Sequence, residues 1–125
     1  MDTLRSVMIL DDEPIVCERL RSTLEKLNNV DLETFTDPNE AVKRFSEKKF
    51  QVLITDLKMK EMDGIEILKL VKKVSPETKV IIITGFATVE KAKEALKIGA
   101  YDFIAKPFRL SQLRDLVVTA LGPSS

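Results

Sequence analysis

The chain repeats one construction five times: a short strand-like run, at residues 6–10, 31–35, 51–55, 79–83 and 101–105. The runs start about 20 to 28 residues apart, the spacing of strands that alternate with helices. Helical periodicity fills the gaps, with Val16, Leu20, Leu24 and Leu27 on one stripe, Val89, Ala92 and Leu96 on another, and Leu110, Leu113, Leu116 or Val117, and Ala120 on a third. Pro14, the Pro38-Asn39 pair and Asp63-Gly64 mark helix entries, whereas Asn28-Asn29 and Gly99 suit helix exits, Gly99 in a left-handed conformation. The pattern predicts a (βα)5 chain. Continuous apolar strands of this length imply a parallel sheet covered on both faces, and right-handed crossovers put helices on each side.

At 125 residues and 44% hydrophobic content, one domain with one core is expected. Twenty basic and twenty acidic residues cancel, so the global balance offers no footprint for nucleic acid or an anionic membrane. No apolar run approaches the roughly 20 residues of a membrane span, and the N-terminus lacks the layout of a secretory signal, so a cytoplasmic location is expected. There is one cysteine, Cys17, and no histidine. That removes intramolecular disulfides, the usual zinc clusters and every catalytic dyad built on imidazole. Cys17 reads as a small packing residue on the first helix.

Polar residues recur where the apolar runs stop. The first run ends in Asp11 and Asp12, the third in Asp56, the fourth in Thr84 and Gly85, and the fifth in "FIAKPF" with Lys106. Open α/β sheets bind ligands beyond the carboxyl ends of their strands, where strand order reverses. If the first and third strands are neighbours, three carboxylates converge, and a divalent cation would relieve their repulsion. Mg²⁺ is the hard, oxygen-seeking candidate.

With these residues in place, the whole chain resembles a receiver (response-regulator) domain of bacterial two-component signalling. The resemblance implies a flavodoxin-like doubly wound sheet of order 2-1-3-4-5, residues 1–121 as the receiver domain, and residues 122–125 as a tail or the start of a linker. It implies that Asp56 is the phosphoacceptor, Asp11 and Asp12 the acidic pair, Thr84 the switch hydroxyl and Lys106 the phosphate-binding lysine before Pro107. It adds the backbone carbonyl of Lys58 as a metal ligand, Phe103 as an aromatic switch and a cis peptide at Lys106-Pro107. The expected function is a phosphorylation-controlled switch that takes its phosphoryl group from a partner sensor histidine kinase or phosphotransfer protein. Such a domain is no turnover enzyme and catalyses only its own phosphorylation and dephosphorylation. Output is expected through the face of the fourth helix, fifth strand and fifth helix, as a homodimer and without direct nucleic-acid contact. That face is expected to include Lys91, Glu94, Ile98, Tyr101 and Arg114. The stretch "ITGFATVEKAKEALKIGAYDFIAKPF" resembles receivers of transcriptional regulators that act with the sigma-54 polymerase.

The residue types suit this chemistry on physical grounds. An acyl phosphate beside further acids gathers negative charge that Mg²⁺ and Lys106 can offset, Thr84 offers a hydroxyl donor, and Gly85 leaves its amide free to approach an anion. Singly, each residue has a plainer explanation. Asp56 could form a turn, Asp11 to Glu13 could cap a helix before Pro14, Lys106 could sit in a solvated turn, and Phe103 could be core. Joint placement at four strand ends outweighs these.

Three departures from the family pattern stand out: Met59 is followed by Lys60 where the family commonly has proline, Phe103 replaces a frequent tyrosine, and a bulky Phe86 borders the route of attacking water and is expected to slow hydrolysis. A Mg²⁺-dependent aspartyl phosphatase of the haloacid dehalogenase type would need an Asp-x-Asp signature after the first strand, where Asp11 and Asp12 are adjacent instead. No G-x-x-x-x-G-K-[ST] loop supports a P-loop nucleotidase. A receiver-like module that binds partners without phosphorylation would not need the five polar residues.

Overall fold

The computed structural model describes residues 5–85 and 88–122. Five parallel strands, β1 (Arg5–Leu10), β2 (Val30–Phe35), β3 (Val52–Asp56), β4 (Lys79–Thr84) and β5 (Asp102–Ala105), form one sheet in the order β2-β1-β3-β4-β5. They alternate with α1 (Pro14–Leu24), α2 (Pro38–Glu47), α3 (Gly64–Val74), α4 (Val89–Ile98) and α5 (Leu110–Leu121). The expected (βα)5 architecture and strand order are thus observed. The expectation placed on Phe86 and the tail beyond Gly122 lie outside the described residues.

Strand alternation divides the core into two layers. Met8, Leu10, Leu53, Val80 and Ile82 face one side, where Phe45 of α2, Leu68 of α3 and Ala92 and Ala95 of α4 close over them. Val7, Ile9, Ile54, Ile81 and Ile83 face the other, under Leu20 of α1 and Leu113 and Val117 of α5. Burial on both faces is why these strands carry apolar residues without interruption. Removing side chains of this size from water stabilises the fold by roughly 1.5–3 kcal/mol each, which lets the sheet carry uncompensated polar groups at one edge.

Local signals set the element ends. Pro14 and Pro38 stand at the first position of α1 and α2, and the Asp37 carboxylate accepts the Asn39 N–H at 2.9 Å. Gly99 closes α4 at φ 127°, donating to the Ala95 and Leu96 carbonyls. Helix α1 stops at Leu24, before the Asn28-Asn29 pair expected to end it, and Asn29 instead turns the chain into β2 at φ 57°. Two expected core positions also differ: Leu96 and Leu110 are 39% and 40% exposed, while Ala95 and Val117 are buried. Periodicity locates an apolar stripe but not its centre, which the opposing surface decides.

Candidate functional site

The strands deliver their polar residues to one edge because the ladder continues a step past each strand. The Asp11 N–H donates to the Phe35 carbonyl at 3.1 Å, the Leu57 N–H to Ile83 at 2.9 Å, and the Lys106 N–H to Thr84 at 2.8 Å. These bonds pin the backbone around Asp11, Asp56 and Lys106 to the rigid sheet. One carboxylate oxygen from each of Asp11, Asp12 and Asp56 lies within 4.8 Å of the others. The Lys106 ammonium stands 3.5 Å from Asp56 Oδ2, while Asp56 Oδ1 accepts the Lys58 N–H at 3.2 Å. Asp11 and Asp56 are buried and Asp12 is partly exposed.

Asp11 is the most buried of the three acids. Its Oδ1 accepts the Glu13 N–H at 2.9 Å, but its Oδ2 is buried with no hydrogen-bond partner among the described residues. Burial pushes this carboxyl up to about 6 and the Asp56 charge adds to the rise, while the Glu13 N–H opposes it. An orphaned anionic oxygen beside two more carboxylates is a donor set that suits a hard divalent cation. Among the described residues this is the one group of three acidic, histidine or cysteine side chains close enough to share an ion.

Thr84 ends β4 with its side chain buried, on the same face as Ile82. Its hydroxyl is hydrogen-bonded to the Thr88 hydroxyl and lies 3.1 Å from the Gly85 carbonyl. Phe103 pairs with Ile82 in the ladder while Thr84 pairs with Ala105, so the two side chains share a face one step apart. The ring is partly buried against the α2–α4 layer. The peptide between Lys106 and Pro107 is cis. A Cβ at Gly85 would meet nothing within 4 Å among the described residues. Cys17 is buried beside Asp11, and burial pushes its thiol up, in keeping with a packing role.

Two participants were not singled out for the site from the sequence. Thr88, four residues after Thr84, had no visible reason to be its partner. Gly64 read only as a helix entry, but it also lets α3 approach the loop after β3. Its N–H donates to Leu57 at 2.7 Å, and an added Cβ would lie 2.8 Å from Leu57 Cα and 2.9 Å from the Asp56 carbonyl oxygen. Both obstacles are backbone. Gly64→Ala should therefore destabilise the protein by about 1–3 kcal/mol, although helix propensity alone would favour alanine by roughly 1 kcal/mol. A urea midpoint equal to or above that of the parent would show that the loop yields instead.

An open parallel sheet with an acidic cluster and a lysine at its switch point defines a receiver-type α/β domain. A family model described as the response regulator receiver domain matches residues 7–118, and the chain belongs to this family, whose general function is a phosphorylation switch. The chain is 33% identical to the response regulator protein PilR of Pseudomonas aeruginosa over 117 residues, covering 94% of this chain and 26% of that protein. It is 36% identical to the regulatory protein AtoC of Escherichia coli over 121 residues, 97% of this chain and 26% of that protein. The chain thus spans about a quarter of the length of the curated relatives it matches. A crystal structure of a response regulator receiver domain protein from Clostridium thermocellum superposes with a TM-score of 0.88 at 30% identity, covering 94% of each chain. NtrX from Brucella abortus, in complex with ADP, gives a TM-score of 0.87 at 27% identity over 95% of this chain and 27% of that one. No described helix is long and apolar enough to cross a membrane.

Proposed function

We propose that Asp56 accepts a phosphoryl group from the phosphohistidine of a partner kinase or phosphotransfer protein, and that the acyl phosphate biases the α4–β5–α5 face. The observation that carries this reading is the clustering of Asp11, Asp12 and Asp56 with Lys106 against Asp56 and an orphaned oxygen on Asp11. An Asp56 carboxylate oxygen attacks phosphorus in line as the phosphorus–nitrogen bond of the donor breaks, and its electron pair leaves with the imidazole. The chain has no histidine to serve as donor itself. Asp11, Asp12, Asp56 and the Lys58 carbonyl would hold Mg²⁺, which supplies charge neutralisation at the phosphoryl oxygens. Lys106 neutralises a further oxygen, and Thr84 turns its hydroxyl toward the phosphoryl group while Phe103 fills the space it leaves. Hydrolysis of the aspartyl phosphate at the same site resets the switch.

The α4–β5–α5 face presents Leu96 and Ile98, both substantially exposed, among the charges of α4. That mixture suits regulated pairing with a second copy. A cytoplasmic location, no direct contact with nucleic acid by this chain, and output to sigma-54-type transcription belong to the same proposal, the last supported by relatives named as regulatory proteins.

Incubation with acetyl phosphate and Mg²⁺ should give one base-labile phosphate per chain, and chelation with EDTA should suppress it. Persistent labelling in EDTA would contradict the metal role. Lys106→Ala should retain Mg²⁺ affinity within about threefold, since a partly exposed cation 3.5 Å from one carboxylate contributes little to a neighbouring ion site. The same variant should lose the change in amide exchange that beryllofluoride produces on α4. An unchanged α4 response would remove Lys106 from the coupling.

A further inference from the structure

The α4 N-terminus departs from the pattern of the other helix entries that begin with a short polar residue. Asp37 and Asp63 each cap their helix with a side-chain oxygen on a backbone N–H. Thr88 occupies the same position before α4 but makes no cap bond, and its backbone stands at φ −116°, ψ 16° rather than in the extended region usual for a cap. Its hydroxyl is engaged elsewhere, with the Thr84 hydroxyl and with the Gly85 carbonyl at 3.1 Å.

The proton count limits this engagement. Two hydroxyls offer two protons, and the hydroxyl contacts are one between them and one from each to the Gly85 carbonyl, which also accepts the Thr88 N–H at 3.1 Å. One hydroxyl can donate to Gly85 and the other to its neighbour, which leaves neither proton for a further acceptor. Thr84 therefore cannot donate to a phosphoryl oxygen without giving up a bond: the one to Gly85 if Thr88 is the donor between the two hydroxyls, the one to Thr88 if Thr84 is, and both if its side chain turns to another rotamer. That turn frees the Thr88 hydroxyl from Thr84 and leaves it, of these partners, only the Gly85 carbonyl, with its oxygen able to accept a backbone N–H.

We propose that Thr88 is a two-position latch, which in the resting state holds the Thr84 hydroxyl away from the acidic site and, once Thr84 departs, caps α4. The capping acceptor bond runs from the Lys91 N–H, the third amide of α4, to the Thr88 hydroxyl. Reaching it requires the Thr88 backbone to move toward the extended region, which carries the first turn of α4 with it. A cleft of about 280 Å³, bordered by Leu57, Met59, Ile65, Thr88 and Lys91, lies beside that turn and gives it room to settle. Thr88 is a positioning residue here: it touches the switch hydroxyl rather than the reacting atoms. The inference rests on the proposed role of Thr84, yet part of it can be tested without phosphate.

The test is residue-resolved amide exchange on the whole chain, with ¹⁹F spectroscopy reporting beryllofluoride binding. Thr84→Val without any ligand should raise protection of the Lys91 amide about fivefold, the equivalent of one cap bond, and Thr84→Val/Thr88→Val should not. In the parent chain, beryllofluoride with Mg²⁺ should raise the same protection about fivefold, Thr88→Ser should retain the gain, and Thr88→Val should lose it. If Thr88→Val gains protection as the parent does, or the ligand-free Thr84→Val shows no gain, the latch is refuted while the phosphoacceptor role stands. If beryllofluoride binds neither protein, the proposed function falls, and the ligand-free arm still decides whether Thr84 restrains the α4 cap.

Discussion

Asp56→Asn should remain unlabelled by acetyl phosphate and Mg²⁺ under conditions in which the parent chain takes up a stoichiometric, base-labile phosphate. The substitution preserves shape, and an asparagine carbonyl oxygen can still accept the Lys58 N–H that Asp56 Oδ1 accepts at 3.2 Å. It removes the anionic nucleophile, and an amide oxygen cannot form a stable acyl phosphate at neutral pH. It also removes one of three clustered charges, so the variant should be no less stable than the parent. A drop in labelling with an unchanged thermal midpoint therefore separates lost chemistry from lost folding. Stoichiometric labelling of the variant, mapped by peptide analysis to another side chain, would refute the assignment. Loss of base lability would do the same, because acyl phosphates hydrolyse in base and phosphate esters of serine or threonine at this scale do so far more slowly.

Asp11→Asn should make the metal-free protein more stable, by about 2 kcal/mol at pH 7.5, on the principle that a pKa raised by two units corresponds to 2–3 kcal/mol of penalty on the charged form. The sign follows from burial. Asp11 is pushed from 3.8 up to about 6 in the folded chain, so between these values the folded state holds a proton that the unfolded state has lost. Stability of the metal-free parent should accordingly rise as pH falls from 7.5 through 6 toward 4.5, and that rise should be missing in Asp11→Asn. Glu33 works in the opposite sense. Its carboxyl is held low chiefly by its hydrogen bonds from Arg44, so its contribution is present above the ordinary glutamate value and is lost only at more acidic pH. The asparagine can keep the Glu13 N–H bond and put an amide N–H where Oδ2 now lacks a partner. Added Mg²⁺ should stabilise the parent more than the variant and narrow the gap, since a ligand that binds only the folded state stabilises it by mass action. Urea denaturation across pH 4.5–8, with and without Mg²⁺, gives all three results. A less stable variant, or parallel pH profiles, would show that the buried Oδ2 carries no such cost.

Element number, element type and the edge on which the polar residues gather were legible in the chain itself. Strand runs buried on both faces have to be continuously apolar, and Pro14, Pro38 and Asp63 act through local backbone chemistry that needs no tertiary partner. Strand order came only with the family resemblance, because local periodicity says nothing about which strands are neighbours. Once β3 lies beside β1, Asp56 joins Asp11 and Asp12, residues more than forty positions away in the chain.

Three features depended on tertiary structure alone. Whether Leu96 or Ala95 is buried is decided by how α4 packs on β4 and β5, not by spacing. The unpartnered Asp11 Oδ2 exists because burial and a single backbone N–H coincide at one carboxyl, and no residue type announces an unsatisfied oxygen. The Thr84–Thr88 pair exists because the fold brings two hydroxyls to one Gly85 carbonyl. Sequence determines which groups are available for hydrogen bonding. Which of them find each other, and which are left without partners, is set by the packing of the chain.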